Sequence, residues 1–389
     1  MIQCPVCRGR ELAPVVLREQ VPVHQNLVMQ TQAVARDCTK GNLDLYCCDD
    51  CGFVFNRQFD LSLLSYGDRY DNSQNHSGCF VAYIDALVEQ LVQQHGVKNA
   101  TIVEVGCGSG LFLRKLVSYP GANNRGVGFD PSYQGPLTDE GGRLQFRQCY
   151  YDASCTDVPA DVVICRHVIE HVPAPLALLQ SIKAAIAGKP AAKLFFETPC
   201  VDWILSNKVV WDFFYEHCSL FSRHSLSRVF SEAGFSVHAV NHIFNSQYLW
   251  LEATVAETDG AEAVPENITP ALAAKYRKDE AVFLRQITEL LTSCQKKGRV
   301  ALWGAGAKGV TLASLLDADA RLIDALIDIN PNKQGHFVPG SAHPIIAPAQ
   351  IAEHGIASII LMNPNYRHEV ETLLAACESK VSLYEWSVQ

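Results

Sequence analysis

Two clusters of histidine and one set of cysteines hold the reactive side chains of this chain. One cluster is Trp211-Asp-Phe-Phe-Tyr215-Glu216-His217-Cys-Ser-Leu-Phe-Ser222, and the other is Arg166-His167-Val-Ile-Glu170-His171-Val. A neutral imidazole takes up a proton near pH 7, so each cluster offers a candidate base. The triplet Tyr215-Glu216-His217 adds a phenol and a carboxylate in an aromatic setting. An isolated histidine is more often a satisfied structural residue, and Glu170 reads first as a helix-start charge. Position argues for more at the histidines. Residues 160–165 read as a strand, and the 166–171 cluster leaves its C-terminal end, which faces the ligand crevice in an open parallel sheet.

The cysteines form two matched knuckles, Cys4-Pro-Val-Cys7 and Cys48-Asp-Asp-Cys51-Gly52. Two such turns can close a tetrahedral four-thiolate zinc site, which has no open position and is structural. Cys48 has the two-residue spacing to Cys51 that its neighbour Cys47 lacks. The alternative is a set of ordinary thiols in a small β unit.

Residues 100–110, Ala-Thr-Ile-Val-Glu104-Val-Gly106-Cys-Gly108-Ser-Gly110, read as a buried strand running into a glycine turn before a helix. The acid Glu104 beside the loop would repel a pyrophosphate but suits the sulfonium and amino group of S-adenosylmethionine (SAM). The next strand ends on Asp130, twenty residues beyond Gly110, where a carboxylate can accept ribose hydroxyls. Cys149-Tyr-Tyr-Asp152 then falls where an adenine would lie. The bland reading is a Rossmann unit whose glycines serve only helix packing.

A second glycine turn, Gly304-Ala-Gly306-Ala-Lys308-Gly309, follows the strand at residues 299–303, with Asp328 nineteen residues beyond. Alone this is a dinucleotide fingerprint and supports an NAD-dependent oxidoreductase as the alternative function. The remaining chain makes only half of a full dinucleotide fold. Lys308 at the helix start suits a diphosphate, and the loops at 330–335 and 363–366, including Asn363, fall at strand ends facing the same cleft.

Around these segments the chain is α/β. Residues 1–65 form a cysteine-rich module, and 66–256 alternate strands and helices in the manner of a doubly wound parallel sheet. Residues 257–297 are a linker and a long helix that starts with Thr269 as cap and Pro270 in the first turn. Residues 298–389 form a second, smaller Rossmann-like unit. Residues 79–94 carry apolar side chains at helical spacing. Of 389 residues, 48% are hydrophobic and 19% charged, and the net charge of −9 argues against nucleic acid or an anionic membrane as partner. No apolar run approaches the ~18–20 residues of a membrane span. The start, Met-Ile-Gln-Cys-Pro, shows neither a basic nor an apolar leader region, so secretion is not expected, and fifteen cysteines favour a reducing cytoplasm.

Glu104-Val-Gly-Cys-Gly-Ser-Gly110 with Asp130 resembles class I SAM methyltransferases. The whole layout resembles the deoxysugar C-methyltransferases, which act on nucleotide-linked keto sugars. The resemblance implies a zinc module, a SAM domain and a C-terminal domain that holds the substrate's nucleotide or phosphate. It implies catalytic roles for Tyr215, Glu216 and His217, places the family's histidine after strand four at His171 and its N-terminal tyrosine at Tyr70, and sets His167 beside the cofactor. Such chemistry needs a base to form an enolate and donors to hold its oxygen. Transfer to oxygen or nitrogen of a small molecule is the alternative within the class. The bulky apolar stretch 201–214 leaves open an acceptor less polar than a sugar nucleotide.

Overall fold

The cysteine knuckles are set by strand pairing. The computed structural model describes residues 2–64, 71–155, 157–255, 264–377 and 380–385. In the N-terminal module β1 (Leu12–Pro22) leads through α1 (Gln32–Arg36) to β2 (Lys40–Cys48) and β3 (Val54–Asn56). β1 and β2 are antiparallel with Leu12 opposite Cys48, which brings the first knuckle beside the second. A bulge between Pro14 and Val16 leaves the adjacent Val15 and Val16 both buried. This broken alternation hides an eleven-residue strand from a period-two reading.

The predicted amphipathic helix is α2 (Gly78–Gln93), capped by Ser77 Oγ, with Phe80, Ile84, Leu87, Val88 and Leu91 buried. β4 (Thr101–Val105), α3 (Leu111–Val117), β5 (Arg125–Phe129), β6 (Thr138–Asp139) and β7 (Leu144–Arg147) follow. Then come β8 (Val162–Arg166), α4 (Pro175–Ala185), β9 (Lys193–Pro199), α5 (Val201–Ser206), β10 (Ser219–Leu220) and α6 (Arg223–Glu232). The antiparallel pair β11 (Ser236–Ile243) and β12 (Tyr248–Thr254) completes the unit.

The sheet order is β11-β12-β9-β8-β4-β5-β7-β6, and β9, β8, β4, β5 and β7 run parallel. Its two faces bury alternate residues. Ile102, Val162, Ile164 and Phe195 pack on one side, and Val103, Val163, Cys165 and Phe196 on the other. The chain leaves β4 toward β5 and later returns to β8 on the other side, so the switch point and its ligand crevice lie at the C-terminal end of β4. β10 leaves this sheet and pairs with β3, tying the 219–220 segment to the cysteine module.

The long helix is α7 (Thr269–Gln295). Ile268 is its N-cap position, and the Thr269 hydroxyl instead donates to Asp202 Oδ1 at 2.7 Å, which corrects the expected cap. Tyr276, Phe283, Ile287 and Leu291 are buried at helical spacing in a core shared with the N-terminal module and the C-terminal sheet. Arg18 reinforces the junction, with its guanidinium on the carbonyls of Val210 and Phe213 and on Glu280 Oε1, each at 2.8 Å. The C-terminal unit comprises β13 (Arg299–Trp303), α8 (Ala307–Leu316), β14 (Ala325–Ile327), β15 (Ile345–Ile346), β16 (Ile356–Leu361), α9 (Arg367–Ala376) and β17 (Ser382–Glu385). Its five parallel strands are ordered β15-β14-β13-β16-β17. Among the described residues, no helix is long and apolar enough to cross a membrane.

Candidate active site

The first glycine turn sits at the switch point. Gly106 has φ +69°, and a Cβ there would lie 2.2 Å from Val168, so fold and packing both require glycine. Gly108 has φ +52° but faces open space, with nothing within 4 Å of an added Cβ. Gly110 caps α3. Asp130 follows β5, and its Oδ2 accepts from the Gly108 N–H at 2.8 Å. Glu104 lies under the loop with Oε2 buried and unpartnered. Burial pushes its carboxyl up to about 8, against the pull of Arg166. An orphaned carboxyl beneath an open glycine turn fits a cationic ligand group, which would restore its charge. Asp152 is exposed and holds the Ser154 N–H at 2.8 Å, while Tyr151 is buried edge-on against Phe129 and Tyr150 is exposed.

Past β8 the chain enters a buried charge network. Glu197, on β9, accepts from Arg166 Nε at 2.6 Å and the Tyr83 hydroxyl at 2.6 Å, and lies 3.0 Å from His167 Nε2. Burial alone would raise the Glu197 carboxyl, but Arg166 and His167 pull it down to about 2. His167 is opposed by the same burial, yet Glu197 and Glu170 win and hold it up at about 9. His167 also adopts φ +54°, uncommon for a residue with a side chain, and this backbone turn sets its ring between the two carboxylates.

Beyond this network lies a cavity of about 300 Å³ between the SAM-type sheet and the C-terminal unit. His167, His171, His217 and Glu216 line it from one side, and Lys308, Lys333 and Asn363 from the other. The His171 and His217 rings meet edge to face, centroids 4.9 Å apart, and Phe214 lies 4.0 Å from His217. Burial, seconded by His171, His167 and Lys308, holds the His217 imidazole well below its ordinary range and therefore neutral. Glu216 is buried, with Oε2 accepting the Gln25 N–H at 2.9 Å and Oε1 3.4 Å from His24 Nδ1. The ring of Tyr215 points the other way. It packs beside Gly41 and Phe59, and its hydroxyl accepts the Asp60 N–H at 2.8 Å, so it does not line the cavity. This corrects the expected catalytic Tyr215: the phenol anchors the triplet to the N-terminal module. Tyr70 lies outside the described residues.

The opposite wall also differs from expectation. Lys308 is ion-paired with Asp212, so its charge is already met within the protein. Lys333 is buried, and its ammonium donates to neutral oxygens, Asn26 Oδ1 at 3.2 Å and the Ala305 carbonyl at 3.3 Å. The Asn363 amide is engaged reciprocally with Gln247 at 2.9 and 3.2 Å, a polar bridge between the two units. The second glycine turn has a packing reason. A Cβ on Gly309 would lie 1.9 Å from the Gly304 carbonyl oxygen, and Asp328 already accepts from the Ala305 and Asn330 N–H groups. The bulky stretch 201–214 belongs mostly to the core, with Ile204, Trp211 and Phe213 buried together away from the cavity.

In the N-terminal module the four knuckle sulfurs converge. Cys4 and Cys51 Sγ are 3.6 Å apart, Cys7 and Cys48 Sγ 3.5 Å, and all four lie within 4.8 Å of one another. The Gly9 N–H points at Cys7 Sγ at 3.4 Å. Cys47 is turned to the Cys48 carbonyl instead, so the register with Cys48 holds. This donor set fits a thiophilic tetrahedral cation.

Glu197, Lys333 and Glu216's partner His24 escaped the reading of the sequence as site residues. Glu197 had a signal, an acid inside the apolar strand Leu-Phe-Phe-Glu-Thr. Lys333 lay in a loop noted for its position but had no motif. His24 had none.

Fold and glycine-loop site together define a class I SAM-dependent methyltransferase. A methyltransferase-domain family model matches residues 79–240, and a model of the C-methyltransferase C-terminal domain matches residues 247–382. The C-methyltransferase NovU of Streptomyces niveus is 26% identical over 390 residues, spanning 95% of this chain and 91% of that protein. A ubiquinone biosynthesis O-methyltransferase of Actinobacillus pleuropneumoniae serotype 7 is 31% identical over 117 residues, 27% of this chain and 47% of that one. A SAM-dependent methyltransferase structure from Aquifex aeolicus covers 47% of this chain and 96% of its own, with 15% identity and a TM-score of 0.35. The two matched models follow one another along the chain, a methyltransferase domain and then a C-methyltransferase C-terminal domain, and the activity they define is that of a SAM-dependent C-methyltransferase.

Proposed function

We propose that the chain methylates a carbon beside a carbonyl in a nucleotide-linked keto sugar or a related natural-product intermediate, with His217 as base. The observation that carries this reading is the His217 ring, edge to face with His171 on the wall of a cavity that has the SAM-type sheet on one side and a second nucleotide-type unit on the other. His217 takes the proton from the carbon, and the C–H electron pair passes into an enolate. Bound SAM supplies an electrophilic methyl to that carbon. His171 stands beside the base, and Glu216, fixed by Gln25 and His24, holds the segment that carries it. Lys333, the loop at Asn330 and the aromatic Trp303 and Tyr366 offer a cation, amides and ring faces to an anionic, nucleotide-bearing tail.

Near the β4 crevice, Glu104, Gly106, Gly108, Asp130 and Asp152 are assigned to SAM. Cys4, Cys7, Cys48 and Cys51 are assigned to one structural zinc. A reducing, cytoplasmic setting is proposed with it, since a four-sulfur metal site needs its thiols reduced. The test is solvent exchange. In deuterium oxide with an unreactive SAM analogue, the enzyme should exchange the acceptor's α-proton, and with SAM the product should gain 14 mass units on carbon. Methylation on oxygen or nitrogen without exchange would refute the enolate route.

A further inference from the structure

We propose that Glu170, His171 and His217 form a second divalent-metal site, open to the cavity, for a transition ion of the zinc, cobalt or nickel kind. One carboxylate oxygen and one ring nitrogen from each histidine lie within 4.8 Å of one another. Ligand atoms on a tetrahedral zinc are separated by about 3.3 Å, given bonds near 2.0–2.2 Å, so small rotations of the side chains close the set. The Nδ1 atoms of both His171 and His217 are buried and have no hydrogen-bond partner among the described residues. Buried ring nitrogens normally find one.

The carboxylate is already oriented for the purpose. Glu170 Oε2 accepts from the Thr198 hydroxyl at 3.1 Å, and Oε1 lies 3.3 Å from His167 Nδ1, the outer partners that steer a metal-binding carboxylate. Two imidazoles and one carboxylate with open positions select late first-row ions, not magnesium or calcium. The site differs from the four-sulfur cluster in donor type and lies against the cavity.

Occupation has a definite consequence. Coordination takes a histidine lone pair that would otherwise accept the substrate proton, so the ion blocks methyl transfer. The site is thus an inhibitory one, reversed by chelation.

Cobalt(II) alone, titrated into full-length protein of measured metal content, tests this without turnover. The expected result is one further equivalent showing visible ligand-field bands without the thiolate-to-cobalt charge-transfer band that cysteine ligation produces. The double variant His171→Gln/His217→Asn should lose that equivalent. Because the variant can misfold, nickel(II) is also added to wild type, where it should broaden the imidazole proton resonances of His171 and His217. Zinc in the range that displaces the cobalt should lower methyl transfer at least about tenfold, and a chelator should restore it. No cobalt beyond the resident metal, equal uptake in a folded double variant, or unbroadened resonances would overturn the site. Zinc that displaces the cobalt yet leaves methyl transfer undiminished would overturn the inhibitory role. The binding readouts do not depend on which acceptor atom is methylated, so failure of the enolate route leaves the metal result interpretable.

Discussion

Asp130 and Asp328 hold the same station in two separate sheets. Each uses Oδ2 to accept an N–H of the preceding glycine turn at 2.8 Å, from Gly108 and Ala305 respectively. Each uses Oδ1 to accept the N–H two residues onward, from Ser132 at 2.8 Å and Asn330 at 2.9 Å. The acid after the second strand thus ties down the loop before it has any ligand to hold. Asp130→Ala should weaken SAM binding by about 1.5–3 kcal/mol, the range for a charge-assisted hydrogen bond. Asp328→Ala should leave SAM affinity alone and weaken the acceptor. Calorimetric titration of both variants separates the two effects, and equal SAM affinity in Asp130→Ala and wild type would remove Asp130 from the cofactor site.

His217→Asn should keep SAM affinity and lose roughly 10²–10⁴-fold in kcat, the usual worth of a positioned base. Proton exchange at the acceptor should vanish with it. Exchange at the wild-type rate in the variant would move the role to His171.

Two pH effects have opposite sources. Burial keeps His217 neutral far into the acid range, so kcat/KM should not fall as pH drops through 6.5, and its acidic limb should lie lower. A limb at 6.5 or above would contradict the buried-base assignment. Stability behaves otherwise. Folding raises His167 from 6.5 to about 9, so its contribution is complete below pH 6.5 and is lost as pH rises toward 9. Folding lowers Glu197 from 4.5 to about 2, so its contribution is present above pH 4.5 and is lost as pH falls toward 2. Denaturant midpoints for wild type and His167→Gln across pH 6–9.5 should converge at the alkaline end.

The purified protein should carry about one zinc per chain on its four cysteines, and Cys48→Ser or Cys51→Ser should lower thermal stability. Metal analysis that finds no zinc in folded protein would exclude the four-thiolate site. Turnover should track this metal only through folding.

Lys333→Met should raise the acceptor's KM at least several-fold, leaving SAM affinity unchanged, because the lost ammonium faces the cavity from the C-terminal unit. An unchanged KM would place the acceptor's anionic part elsewhere.

The glycine turns, the strand-end acids, the paired knuckles and the helix at 78–93 were legible in the sequence. Each is a local device, since a positive φ, a two-residue chelate spacing or an apolar stripe is written within one or two turns of chain. The tertiary structure decided which of these side chains meet. Tyr215 and Glu216 are neighbours in sequence, yet one anchors to Asp60 and the other stands at the cavity against a residue 192 positions away. Lys308 was expected to be a ligand cation, but packing gave it Asp212, while the motifless Lys333 was buried against neutral oxygens at the cavity wall. The bulge in β1, the φ of His167 and the Asn363–Gln247 bridge likewise depend on partners far along the chain. A residue's charge state and direction follow from what surrounds it after burial, and for these residues nothing within a few positions of sequence sets those surroundings.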